Sequence, residues 1–264
     1  MKKYLAVAIL YFKTQTAFRA HIILTMAFSL GHILFAFLLW SNVLGEQETL
    51  AGFTLQSMMT YYIIQSFFTQ IELSSGVSGE VSGRIRGGTF MKYMVVPIDV
   101  EGYFTAMSLG ASGFYVIIDV ITCAIWVFLF GVQLTITSSG LMIAAALLLF
   151  VLGMIFMIQF NYFLGLLAFK FQDIWIFLMI KDGLIAFLAG TMVPLVLMPG
   201  WFVSTMRFTP FYYVTYLPAM MLVDKLHEEA VLGLCVIIGW GALMFLINRL
   251  AYGKMRVRFD GVGI

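Results

Sequence analysis

Charge is what this 264-residue chain has least of: Asp, Glu, Lys and Arg make up 11% of it, against about 25% in an ordinary soluble domain. That is too few to cover a globular surface. Proline (5), histidine (3) and cysteine (2) are also sparse. The three histidines, His21, His32 and His227, have no partner at metal-ligand spacing, so no metal site is expected. No Walker A loop and no credible Ser/His/Asp set occurs, so no catalytic residues are assigned. Cys123 and Cys235 lie in apolar runs and read as small buried hydrophobes rather than a disulfide. A net charge of +2 gives no reason to expect nucleic acid as a partner. What is abundant is apolar matter: 62% hydrophobic residues, with Phe 26, Met 18, Tyr 12 and Trp 5. The mean hydropathy is +1.01. The composition is that of an integral membrane protein.

The start, Met1-Lys2-Lys3-Tyr4-Leu5, has the look of a signal peptide, but Lys13 interrupts the apolar run and no small-residue cleavage site follows. The N-terminus is expected to stay in the mature chain. About 20 residues of helix cross the hydrocarbon, so charge-poor runs mark the spans. They predict TM1 at 21–44, TM2 at 50–71, TM3 at 101–131, TM4 at 141–167, TM5 at 173–194 and TM6 at 230–248. The turn between TM3 and TM4 is read at Gln133 to Gly140, a polar stretch inside an uncharged run too long for one helix. The expected fold is an all-α membrane protein, one transmembrane domain over 1–264 with six spans. No internal repeat supports an inverted-repeat transporter.

Basic residues fix the expected orientation. With the N-terminus inside, the inner set is Lys2, Lys3, Lys13, Arg19, Arg84, Arg86, Lys92, Lys170, Lys181, Arg249, Lys254, Arg256 and Arg258; the outer set is Arg207 and Lys225. Both termini are therefore expected to be cytoplasmic. Three segments stand apart from the spans. Residues 1–20, with Leu5, Ile9, Phe12 and Phe18 among basic residues, read as an interfacial amphipathic helix. Residues 75–100 form a cytoplasmic segment. Residues 193–229, with Pro194, Pro199, Pro210 and Pro218, read as short re-entrant or surface helices at the outer interface.

In the cytoplasmic segment Gly79, Gly83 and Gly87 recur every four residues, flanked by Glu80, Arg84 and Arg86. On a helix these glycines make a smooth stripe open to close approach by another backbone. A docking surface for a cytoplasmic partner is the functional reading; a solvated basic loop is the competing one.

The chain resembles the membrane permeases of the type-2 ABC exporter class, with the fold of the G-subfamily exporters, in its small bacterial six-helix branch. The resemblance rests on the amphipathic N-terminal helix and on the glycine segment leading into Lys92-Tyr93-Met94-Val95-Val96-Pro97. It rests also on Gly190-Thr191-Met192-Val193-Pro194-Leu195, on Pro199-Gly200-Trp201, on Phe208-Thr209-Pro210-Phe211 and on the closing Tyr252-Gly253. It departs at Met94, Val95 and Val96, where that branch carries a basic residue before the loop proline. The resemblance implies a bacterial cytoplasmic-membrane subunit that is no enzyme itself. Two copies of a separate ABC ATPase, holding ATP and Mg, would dock on Gly79, Glu80, Gly83, Arg84, Arg86 and Gly87. A second permease would complete a homodimer or heterodimer, and an amphipathic, lipid-like, drug or peptide cargo would pass between the subunits. Tyr61, Tyr62, Gln65, Phe68, Phe187 and Met192 map to that path, with ordinary helix packing as the competing reading.

Charges inside the spans are a second pointer, because each costs about 2.5–3.5 kcal/mol at helix centre on insertion scales. Asp119 falls in TM3, and Lys181 and Asp182 in TM5. A structural pair of Lys181 with Asp119 or Asp182 is the expectation; a substrate- or proton-binding charge is the alternative. Two other classes compete with the exporter: an ATPase-independent sensor or scaffold, and an intramembrane enzyme built on Asp119, Asn161 and Lys181.

Overall fold

The computed structural model describes residues 2–44, 49–130, 133–171, 174–191 and 194–256. Among them there is no strand, only an isolated bridge between Leu50 and Phe53. The helices are α1 (Lys2–Gln15), α2 (Arg19–Leu44), α3 (Leu55–Ile71), α4 (Ser75–Arg86), α5 (Met91–Val95), α6 (Val100–Phe130), α7 (Gly140–Leu166), α8 (Trp175–Leu188), α9 (Gly200–Met206), α10 (Leu217–Leu222) and α11 (Ala230–Met255).

Four helical stretches are long and apolar enough to cross a membrane: Ala20–Leu44, Val100–Phe128, Gly140–Phe169 and His227–Met255. They coincide with the expected TM1, TM3, TM4 and TM6, and make the chain a multi-pass membrane protein. TM2 and TM5 need correction. α3 has 17 residues and α8 has 14, about 26 Å and 21 Å at 1.5 Å per residue, so neither spans 30 Å alone. A charge-free run counts residues whatever their conformation, and here a backbone turn precedes α3 and another follows α8. Ala51 and Gly52 take positive φ inside the Leu50–Phe53 bridge, so α3 starts only at Leu55, behind a Thr54 capping box. Gly190, at φ +68°, ends the α8 run, a conformation that costs glycine nothing. The turn over 133–139 is non-helical, as the sequence predicts.

α3 lies at the centre. Met58 through Ser66 are all buried, and Phe68 stacks on Phe150 of α7 with ring centroids 4.0 Å apart. The segment 193–229 departs from a surface reading. It contains a 3-10 turn at Leu195–Leu197, α9, a π-helical turn at Tyr212–Tyr216 and α10. Residues 212–222 are buried and pack against α3, α7 and α11. The approach is close because Gly153 of α7 has no side chain: a Cβ there would stand 2.8 Å from Cα of Val214. α1 lies along the first half of α6, with Tyr4 over Gly102 and Phe12 over Gly113, and Gly110 makes room for the carbonyl of Ala8. Its own residues stay outside the core, with Leu5, Ile9 and Leu10 exposed. The two cysteines are free thiols; Cys123 is half-buried, while Cys235 is exposed rather than buried.

Gly153→Ala is expected to destabilise the protein by about 1–3 kcal/mol, the usual cost of overpacking. Gly239→Ala, which meets nothing within 4 Å, should be neutral or slightly stabilising. Thermal unfolding of the two variants side by side in one detergent checks this; equal melting temperatures would refute the close contact.

Candidate coupling surface and polar core

The glycine segment is helical and amphipathic in an unusual sense: its outer face is nearly bare. Val77, Ser78, Val81, Ser82 and Ile85 of α4 are buried. They pack on α7, where Gly165 admits them; a Cβ at Gly165 would stand 2.6 Å from Cβ of Val81. The opposite face carries Gly76, Gly79, Gly83 and Arg86, all exposed, and a Cβ on any of the three glycines would meet nothing within 4 Å. Glu80 and Arg84 are spent on each other in an i,i+4 pair. The guanidinium of Arg84 also lies over the Tyr93 ring, 5.5 Å from its centroid. Gly87 caps the helix, exposed, with its N–H on the Gly83 carbonyl. Among the described residues, nothing packs on the three glycines of the stripe.

The buried face of α4 leads inward to a polar chain. Ser74 stands just before α4 and is fully buried. Asn161 of α7, also fully buried, donates from Nδ2 to Ser74 Oγ at 2.7 Å and to the Met157 carbonyl at 3.0 Å. Lys181 of α8 donates from Nζ to Asn161 Oδ1 at 2.7 Å and pairs with Asp182 Oδ1 at 2.6 Å. Lys181 is the one buried residue of α8. Beside Ser74, Glu72 accepts the Ser74 N–H at 3.0 Å. Burial pushes its carboxyl above the ordinary range, and the Ser74 hydrogen bonds pull against that shift. Glu72, Lys181 and Asp182 line a cavity of about 560 Å³ with Thr69, Gly76 and Thr191. A second groove of about 380 Å³, which includes Ser29, His32 and Gln70, shares Thr69 and Thr191 with it.

The intramembrane charges thus separate. Lys181 takes Asp182 and Asn161, whereas Asp119 joins neither and lines a different groove. Of the residues mapped to a cargo path, Tyr61, Tyr62, Gln65 and Phe68 lie inside the core. Tyr61 donates to the Gly190 carbonyl at 2.9 Å, and Gln65 Nε2 donates to Tyr61 Oη at 2.9 Å, tying α3 to the end of α8. Phe187 is partly exposed and edges onto Phe202 at 5.6 Å. Met192 falls outside the described residues. Sequence reasoning passed over Ser74, Glu72 and the ties of α6 to α11, where Asn248 donates to Glu101 at 2.9 Å and Arg249 pairs with Asp99 at 3.2 Å. Asn161, an amide in the middle of an uncharged apolar run, was the available signal.

A bundle of apolar helices with a buried polar chain, and an amphipathic helix with a bare glycine face, is the architecture of a multi-pass membrane protein. Residues 30–263 match the family described as ABC-2 family transporter protein, and the chain belongs to that family. Membership makes it a permease subunit and implies association with an ABC ATPase. No curated protein matches the chain.

Asn161→Ala removes a partner from Ser74 and from Lys181 at once, and is expected to cost about 1–3 kcal/mol or more. Asp182→Asn should cost less, because the Asp182 side chain is 58% exposed and an open pair is screened by solvent. Unfolding of both variants in lipid nanodiscs checks the order; the reverse order would remove Asn161 from its central place.

Proposed function

We propose that this chain is the permease half of an ATP-driven exporter of the bacterial cytoplasmic membrane. In this reading both termini and α4 face the cytoplasm, as the split of Lys and Arg suggests. α3 and α8, together with the turns that flank them, complete six crossings. Two cytoplasmic ABC ATPases, which bind ATP and Mg, dock on the bare face of α4, and a second permease, identical or different, forms the dimer. The cargo is amphipathic: lipid-like, drug-like or peptidic.

The observation that carries the reading is the continuity from α4 to α8. Gly76, Gly79 and Gly83 on the outer face of α4 meet nothing within 4 Å among the described residues, and its other end is joined through Ser74 and Asn161 to Lys181, the one buried residue of α8. A push on α4 by an ATPase therefore reaches α8 through two short hydrogen bonds. Closure of two ATPases on ATP would in this way rock the permease pair between inward-open and outward-facing forms.

The test is to tag the full chain, solubilise it gently and identify what accompanies it. A stoichiometric ABC ATPase is expected, with or without a second permease. A single species, under conditions that keep membrane complexes together, would leave a scaffold or sensor as the better reading. Gly83→Trp, which places an indole on the bare face, is expected to weaken ATPase recovery by about 2 kcal/mol, roughly thirtyfold in affinity. Helix content by circular dichroism should not change.

A further inference from the structure

Asp119 is the one intramembrane charge that the coupling chain leaves unused. It stands on α6, eleven residues before Phe130, the last residue of the helix, about 16 Å from that end and so near mid-bilayer. It is 3% exposed, and neither carboxyl oxygen has a hydrogen-bond partner among the described residues. The side chain belongs to the wall of a groove of about 850 Å³ between α3 and α6, whose other walls include Ile64, Phe67, Val116, Val120 and Cys123. That volume is in the range of small-molecule sites, roughly 300–1,000 Å³. Such sites pair an apolar lining with a few polar groups that orient the ligand.

The chemistry of the groove selects its occupant. A lipid tail would fill the apolar walls and leave two acceptor oxygens unmet in hydrocarbon, where unmet polar groups are costly. An anion would be repelled. A protonated amine on an apolar body satisfies every wall, since its N–H groups donate to the carboxylate and its charge cancels the one on Asp119. We propose that this groove binds amphipathic amines, with the Asp119 carboxylate as counter-ion to the protonated nitrogen and α3 and α6 enclosing the hydrocarbon. The proposal deepens the transport reading by naming a cargo class, and it rests on that reading only for what happens to the amine after binding.

Cys123, one turn beyond Asp119 in the same wall, supplies a readout that needs no ATPase activity. The full chain, carried in its native complex with Cys235→Ser, leaves Cys123 as the sole thiol of this chain, whose labelling is read after it is separated from its partners. It is labelled with a lipid-soluble pyrene maleimide at neutral pH, with dodecylamine as the probe and uncharged N-dodecylacetamide as its control. Dodecylamine at about ten times its half-saturating concentration is expected to slow labelling about tenfold, and the acetamide to leave it unchanged. Asp119→Asn should label at the basal rate and lose the protection; Asp119→Glu should keep it. Should Asp119→Asn fail to fold, Val120→Trp fills the groove with the carboxylate intact and is expected to lose protection as well. The proposal is overturned if amine and acetamide protect equally, if neither protects, if Asp119→Asn retains full protection, or if Cys123 is unreachable because another chain seals the groove. Failure of the exporter reading would show instead as a missing ATPase, with the amine protection intact.

Discussion

The structure turns on a single amine buried among apolar helices. α8 presents Trp175, Ile176, Phe177, Met179, Ile180 and Leu184 outward, and Lys181 is its one buried residue. Leu178, Ile185 and Leu188 add partly buried apolar contacts, and the bond from Lys181 to Asn161 with the pair to Asp182 supplies the polar anchor. In water such a contact would be worth little. In a medium that offers no competing donor or acceptor, each group holds the partner it has. Asn161 is suited to the central position because an amide both donates and accepts. It gives protons to Ser74 and the Met157 carbonyl and takes one from Lys181, so one side chain joins three elements without leaving a charge unmet.

Around this hook the helices fit by subtraction. Between lipid-solvated helices there is little hydrophobic drive to associate, so contact area has to come from close approach. Gly110, Gly153 and Gly165 supply it at three crossings, for α1, for the π-helical turn and for α4. The aromatic residues do the complementary work: Tyr61, Tyr212, Tyr213 and Tyr216 pack edge to face near the centre, with their hydroxyls turned to carbonyls or to Glu229 where those can be reached.

Much of this could be read from the residues. Four long helices and the turn at 133–139 follow from hydropathy and length, and the helical stripe of α4 from glycine spacing. What could not be read has a common cause. Hydropathy reports where a residue can be, not which backbone it adopts, so the bridge at Leu50–Phe53 and the positive φ of Gly190 were invisible and the second and fifth spans came out too long. Polarity likewise shows that Asp119 and Lys181 need partners but not which ones; Lys181 found Asn161, a residue twenty positions away on a helix otherwise free of charge. Tyr61, Gln65 and Phe68 look like lining residues in sequence because they are polar or aromatic in a membrane helix, yet all three are buried in the core.

The buried polar anchor of α8 has a mechanical consequence. Lys181 sits close to the middle of a helix of 14 residues, with about 9 Å of helix on one side and about 10 Å on the other. A rod held by its strongest contact near its centre, with only partly buried contacts to either side, resists translation more than tilt. A tilt of about 10° about that fulcrum carries the two ends roughly 1.7 Å in opposite directions, narrowing one mouth of the neighbouring cavity while widening the other.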